Sequence, residues 1–163
     1  MPRSVIAVAT TVLVMAGGVW INGQQRKPSD NLTPQDVHEI EQLVLGYTKG
    51  IDVGPEDASW VFAPDGVFVY MGRTVTGTKE LKAFYANLRK ENTTRTIRHL
   101  LSNLIVTGSP DGGATGMVYL TTIEAPGTIT AVGMYEDTYV KTVAGWRIKR
   151  RLYRQDLPTA WPK

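Results

Sequence analysis

The spacing of apolar residues changes once along the chain, and this change limits the possible folds more than any other feature. Up to about residue 92, apolar side chains recur at helical spacing, first in the set Val37, Ile40, Leu43, Val44, Tyr47 and Ile51. From Thr94 onward the period is two, which is typical of strands. Helices that come first and strands that follow indicate an α+β fold rather than a parallel α/β fold.

Cap and turn residues divide the chain into three helices and a series of strands. Thr33 and Pro34 begin the first helix, and Gly54-Pro55 ends it. A short helix is predicted at about 56–62, and a third, capped by Thr78, at about 79–92. A short hairpin, 67–70 with 74–76, lies between them. The later strands are predicted at 96–107, 114–123, 128–142 and 146–153, an antiparallel meander that curls round the helices and leaves a closed-ended pocket.

The N-terminus has the pattern of an export signal. Arg3 is followed by an uncharged, mostly apolar run from Val5 to Ile21 that is short for a bilayer span. We interpret 1–23 as a signal peptide or N-terminal anchor, 24–31 as a linker, 32–156 as the domain and 157–163 as a tail. The protein is therefore expected to be exported, periplasmic or secreted. We expect membrane contact only through an uncleaved leader.

The composition narrows the possible chemistry. The chain has no cysteine and two histidines, which excludes disulfides and thiolate nucleophiles and argues against a metal site. A metal site is therefore not expected. The net charge is +3, and many of the cations cluster in the last strand at Arg147, Lys149, Arg150, Arg151 and Arg154. A single basic strand is typical of a solvated face, so no nucleic-acid partner is expected.

Asp52 and His99 are the two residues most suited to acid–base chemistry. Asp52 falls at the C-terminal end of the first helix, where the helix dipole does not stabilise an acid. Strand alternation places His99 on one face with Leu101, Asn103 and Ile105. Each residue also has a plain structural interpretation, as a local backbone partner and as a satisfied core histidine. Together they could form a general-base pair. The other histidine, His38, is predicted to be a surface residue.

A set of loosely spaced motifs resembles a known family. The motifs are Tyr47, Ile51-Asp52, Trp60, Phe62 to Gly66, Gly77, Phe84, His99, Asn103, Gly133, Tyr135, Asp137, Tyr139 and Gly145 to Ile148. Residues 33–154 resemble a SnoaL-like domain of the NTF2-like, cystatin-related superfamily. The resemblance implies a conical α+β barrel with three N-terminal helices packed on a strongly curved, mostly antiparallel sheet. It also implies a homodimer that packs through the sheet.

The dehydrochlorinase and scytalone dehydratase groups of that superfamily use an Asp-His dyad, and Asp52 and His99 fall on its two positions. The resemblance implies a cofactor-independent lyase or isomerase that abstracts a proton from a small hydrophobic substrate, cyclic or polyketide- or steroid-like. The sequence departs from the dehydrochlorinase pattern at Tyr47, where that group has a lysine. The last-strand arginine of that group falls on Arg151, although simple alternation points Arg150 inward, so a bulge is needed. The second histidine of the dehydratase group is missing.

Further side chains are predicted to line the pocket, and two other functions stay open. Tyr70, Tyr119 and Tyr135 could orient a carbonyl or hydroxyl group, although such a residue is more often a core aromatic. The remaining predicted pocket residues are Tyr47, Asn103, Arg151 and Trp60, the last assigned to the wall and core. The alternatives to an enzyme are a non-catalytic module that binds a small molecule and a domain that only dimerises.

Overall fold

The computed structural model of the protein describes residues 32–53, 57–91 and 96–156. The predicted leader and linker (1–31) and the predicted tail (157–163) lie outside the described residues and stay predictions. No helix within the described ranges is both long enough and apolar enough to cross a bilayer.

The elements follow the predicted order, with one correction. They are α1 (Pro34–Asp52), a 3-10 helix (Ala58–Val61), β1 (Phe62–Tyr70), β2 (Arg73–Thr76), α2 (Gly77–Glu91), β3 (Ile97–Gly108), β4 (Ala114–Glu124), β5 (Thr128–Thr142) and β6 (Gly145–Gln155). The prediction of three α-helices is wrong, because the middle one is a single 3-10 turn. Its Asp57 caps the turn by accepting from the Ser59 N–H at 2.8 Å. The strand predicted at 67–70 begins earlier, at Phe62, and its pairing with β6 is irregular between Phe62 and Val67.

The six strands form one curved sheet in the order β2-β1-β6-β5-β4-β3. All neighbours are antiparallel except β1 and β6, which pair in parallel. The predicted α+β class is therefore confirmed. At Gly133 in β5 a Cβ atom would lie 2.1 Å from the Arg154 carbonyl oxygen, so only glycine fits where β5 and β6 approach this closely.

Both helices pack on the concave face of the sheet. Ile40, Val44 and Tyr47 of α1 and Leu81 and Tyr85 of α2 join the inward side chains of the strands in one core. This packing follows from the helical spacing of apolar residues in the sequence.

The start of α1 is fixed to the sheet through Asp36. Thr33 and Asp36 form a capping box, in which the Asp36 N–H donates to Thr33 Oγ1 and the Thr33 N–H donates to the Asp36 carboxylate. The other oxygen of Asp36 accepts from Lys141 Nζ at 2.6 Å and from Trp146 Nε1 at 2.9 Å. One buried carboxylate thus connects the start of α1 to β5 and β6. The last residue of α1 lies toward the opposite end of the cone.

Candidate functional site

Asp52 is the last residue of α1. The carbonyl groups at a helix C-terminus carry partial negative charge, so an acid there needs other partners. Arg89 of α2 supplies nearby positive charge, since its guanidinium donates to the Gly50 carbonyl oxygen at 3.3 Å. The Asp52 side chain is only 9% exposed.

Asp52 holds His99 at two points. The His99 backbone N–H donates to Asp52 Oδ2 at 2.8 Å, and the ring Nδ1 lies 2.5 Å from Asp52 Oδ1. Because a carboxylate can only accept, the proton of this bond lies on Nδ1. In the neutral imidazole the remaining nitrogen, Nε2, is then the one that can accept a proton. The ring is 15% exposed, so it is mostly buried without being sealed off.

Small side chains lie beside His99 on the concave face. Cross-strand pairing places Thr122 of β4 opposite His99 and Ala131 of β5 opposite Thr122. The next row across the sheet contains Leu101, Leu120, Gly133 and Gln155. The inward positions of β5 at this end of the cone are therefore only a methyl group and a glycine, and the β6 backbone at Arg154 lies where a Gly133 Cβ would be.

Aromatic side chains fill the cone one row deeper. Val118 is level with Tyr135, and Tyr135 is level with Tyr153. Tyr70 stacks on Tyr153 with ring centroids 5.4 Å apart, and Tyr135 lies 5.7 Å from Tyr153. Tyr70 is half-buried, while Tyr135 is 4% exposed. Two of the predicted pocket tyrosines, Tyr70 and Tyr135, thus lie together on the concave face below the row of Leu101 and Gly133.

The deepest polar group is an ion pair between Arg151 and Asp137. Arg151 Nε donates to Asp137 Oδ1 at 2.8 Å and Nη2 donates to Oδ2 at 2.6 Å. The guanidinium lies between two rings, 4.1 Å from the centroid of Tyr47 and 4.3 Å from that of Tyr135. Its Nη1 is buried without a hydrogen-bond partner. Burial disfavours the charged form of Arg151, but Asp137 more than offsets this and the pKa of Arg151 lies well above its usual value.

A bulge decides which arginine points inward. Thr138 pairs with Arg150 while Tyr139 pairs with Ile148, so Lys149 is an extra residue in β6. Arg151 is 0% exposed, and Arg150 is exposed on the outer face. The bulge needed to turn Arg151 inward is present. Because Arg151 is sealed by the two tyrosine rings, however, it is a residue of the core beneath the predicted pocket.

The buried tyrosines are hydrogen-bond donors and not bases. Burial raises the pKa of Tyr47, and it raises that of Tyr135 well above the usual value. Burial and then the Asp137 carboxylate raise the pKa of Tyr139, whose hydroxyl donates to Asp137 Oδ2 at 2.7 Å. All three therefore stay protonated at neutral pH.

Three predicted pocket residues lie elsewhere. Asn103 is exposed at a bulge in β3 and has a φ of 55°, so it does not share the face of His99. Tyr119 pairs with Ser102 on the outer face and is 40% exposed. Both predictions are wrong, the first because a bulge interrupts the alternation and the second because both faces of β4 carry apolar side chains. Trp60 is 45% exposed and lies against Gly46, so its assignment to the core is also wrong.

Four residues near the dyad or in the aromatic layer below it were not predicted from the sequence: Arg89, Thr122, Tyr153 and Gln155. Thr122 and Gln155 come to the dyad end only through strand register, which the sequence does not reveal. The one signal in the sequence was alternation from Tyr153, which puts Gln155 on the same face.

A second depression, of about 440 Å³, lies at the β3–β4 turn, at the other end of these strands from His99. Its cations are already paired, since Lys141 Nζ contacts Asp36 and Lys149 Nζ contacts the Asp65 carboxylate. Among the described residues, no three His, Asp or Glu side chains come together as metal ligands would.

Comparisons with known proteins agree with this architecture. The SnoaL-like domain model matches residues 33–152. A protein of unknown function with a cystatin-like fold from Nostoc punctiforme is 26% identical, with a TM-score of 0.68, and the match covers 77% of this chain and 94% of that one. An NTF2-like protein with a cystatin-like fold from Novosphingobium aromaticivorans is 26% identical, with a TM-score of 0.67 and coverages of 75% and 82%.

A putative scytalone dehydratase from Novosphingobium aromaticivorans is 22% identical, with a TM-score of 0.65 and coverages of 79% and 90%, which shows a shared fold. No curated protein sequence matches the chain. The family match spans most of the described domain, and the curved sheet with its packed helices is that of the cystatin-like neighbours. The chain therefore belongs to the SnoaL-like domain family of the NTF2-like superfamily.

Proposed function

We propose that the protein is a cofactor-independent lyase or isomerase in which His99 removes a proton from a carbon of a small hydrophobic substrate. Asp52 is the positioning residue, and it stabilises the imidazolium ion that forms. The substrate is a cyclic or polyketide- or steroid-like molecule whose C–H bond is acidified by a neighbouring carbonyl group.

The observation that carries the proposal is the double contact between Asp52 and His99. One carboxylate accepts from the backbone N–H and from the ring of the same residue, at 2.8 and 2.5 Å. This arrangement fixes both the tautomer and the position of the ring, which are the two properties that a general base needs.

His99 and the substrate together account for the proton and the electron pair in each step. Nε2 of His99 takes the proton, and the electron pair of the C–H bond moves toward the carbonyl oxygen to give an enolate. In an unsaturated ketone the intermediate is a dienolate, and the imidazolium returns the proton to its remote carbon, which is an isomerisation. In a β-hydroxy ketone it returns the proton to the departing hydroxyl group, which is a dehydration. A positioned base of this kind contributes about 10²–10⁴ in rate.

Solvent exchange tests the proposal without knowledge of the natural substrate. The probe is 2-tetralone in D₂O, whose C1 hydrogens are acidified by both the carbonyl group and the ring, and proton NMR follows their replacement by deuterium. We expect the protein to accelerate exchange and both Asp52→Asn and His99→Gln to abolish the acceleration. The matched control is His38→Gln, because His38 is the other histidine and its side chain is 59% exposed.

Equal exchange rates for wild type, Asp52→Asn and His99→Gln, with all three folded by circular dichroism, would contradict the proposal. A loss of rate in His38→Gln as large as that in His99→Gln would contradict the assignment of the base.

A non-catalytic binding module is the second candidate. The observation in its favour is that Arg151, Tyr47 and Tyr135, which could have assisted at a carbonyl group, are almost completely enclosed. It predicts that 2-tetralone binds with the same affinity to wild type and Asp52→Asn and is not exchanged by either.

Pairing of two copies through the sheet stays a prediction. Such a dimer would bury Leu100, Ile105 and Tyr119, which are 52%, 57% and 40% exposed. The molar mass in solution of wild type and Tyr119→Glu tests it.

A further inference from the structure

One polar side chain on the concave face lies in the row next to that of His99. Gln155 is the last residue of β6, and its cross-strand partner on β5 is Gly133. It follows Tyr153 by two residues, and Tyr153 is 8% exposed inside the aromatic layer. The two side chains therefore leave β6 on the same, concave, face.

The residue between them confirms this direction. Arg154 points to the outer face, where its Nε contacts Glu136 Oε1 at 2.6 Å and both side chains are about half exposed. Gln155 is half-buried, as a residue at the open end of the cone should be.

The two inward residues of β5 between Gln155 and the dyad are small. Gly133 contributes no side chain, and the neighbouring inward residue of β5 is Ala131. The same row contains Leu101 and Leu120, and His99 is two residues from Leu101, at the next inward position of β3. The row runs over four strands, so three inter-strand spacings separate its outer members by roughly 14 Å, and the curvature of the sheet turns their side chains toward each other.

We propose that Gln155 is a specificity-determining residue, whose carboxamide binds an oxygen of the substrate at the end remote from the C–H bond that His99 attacks. This inference rests on the proposed function for the orientation of the substrate. A carboxamide is uncharged and both donates and accepts hydrogen bonds, so it matches a hydroxyl or a carbonyl group. The substrate class is therefore a small cyclic ketone that carries a second neutral oxygen function at its opposite end.

A matched pair of ligands tests the assignment by binding alone. The probes are 2-tetralone and 6-hydroxy-2-tetralone, which differ only in a hydroxyl group on the far ring, and ligand-observed NMR titration gives each Kd. We expect wild type to bind the hydroxylated ketone about ten-fold more tightly. The variant Gln155→Leu should bind both ketones equally, whereas Gln42→Leu, at an exposed glutamine of α1, should keep the preference.

Three results would overturn the proposal: a wild type that does not discriminate between the ketones, a Gln155→Leu variant that still does, or a wild type that binds neither. Gln155→Asn, which keeps the carboxamide on a shorter side chain, is the second variant if Gln155→Leu is unfolded by circular dichroism. Its preference should be reduced, and an unchanged preference would also count against the role. If wild type discriminates between the two ketones but does not accelerate deuterium exchange, the role of Gln155 stands and the general-base function is refuted.

Discussion

Asp137→Asn is the substitution that tests the packing of the cone most sharply. The change is nearly isosteric and removes one negative charge. In the native protein Asp137 accepts two hydrogen bonds from Arg151 and one from the Tyr139 hydroxyl, and the two charged side chains are 1% and 0% exposed. The variant leaves a guanidinium that is buried, that has no counterion and whose Nη1 already lacks a partner.

The cost follows from the burial of that cation. Removing one partner of a buried ion pair destabilises a protein by about 3–5 kcal/mol, because the remaining charge can neither reach water nor be neutralised. The two tyrosine rings offset only part of this, since a desolvated cation–π contact contributes about 2 kcal/mol. For a domain of this size we expect the Tm to fall by about 10–20 °C.

The neighbouring residue provides the control. Glu136 also pairs with an arginine of β6, Arg154, but these side chains are 41% and 55% exposed. Glu136→Gln should therefore cost about 0–1 kcal/mol. Urea unfolding followed by tryptophan fluorescence gives both free energies. If Asp137→Asn costs no more than Glu136→Gln, the account of a sealed ion pair is wrong.

Two further predictions concern acid stability and close packing. Hydrogen bonds from Lys141, Thr33 and Trp146 hold the pKa of Asp36 well below its usual range. This contribution to stability is therefore complete above about pH 4 and is lost as the pH falls further. The difference in unfolding free energy between wild type and Asp36→Asn should shrink from pH 5 to pH 3. Gly133→Ala should cost about 1–3 kcal/mol in urea unfolding, because its Cβ would meet the Arg154 carbonyl group, whereas Gly50→Ala, with its nearest contact at 3.4 Å, should not destabilise the domain. A stable Gly133→Ala variant would show that β5 and β6 do not approach this closely.

Local signals explain why the helix that carries Asp52 could be predicted from the sequence. Thr33 and Pro34 define its start, and the Gly54-Pro55 pair limits its end, so Asp52 had to lie in its last turn. The position of His99 near the start of a long strand followed in the same way from the change of period. What joins these two residues is the family resemblance and not any local pattern, because they are far apart in sequence.

Strand register explains the wrong prediction at Asn103 and the residues that were missed on the concave face. Asn103 leaves the predicted face because a bulge in β3 with a left-handed backbone shifts the alternation. An equivalent bulge at Lys149 turns Arg151 inward instead of Arg150. Bulges depend on how two strands pair, and the sequence of one strand does not encode that pairing. Gln155 and Thr122 were missed for the same reason.

The tautomer of His99 is the most direct test of the dyad as a general base. Nitrogen-15 NMR of the imidazole groups distinguishes a protonated Nδ1 from a protonated Nε2, and the His38→Gln variant leaves one histidine and so assigns the signal. We predict that the neutral imidazole carries its proton on Nδ1, directed at Asp52, and leaves Nε2 unprotonated, and that this preference is lost in Asp52→Asn. A proton fixed on Nε2 in the wild type would contradict it, since His99 could then not accept a proton from a substrate.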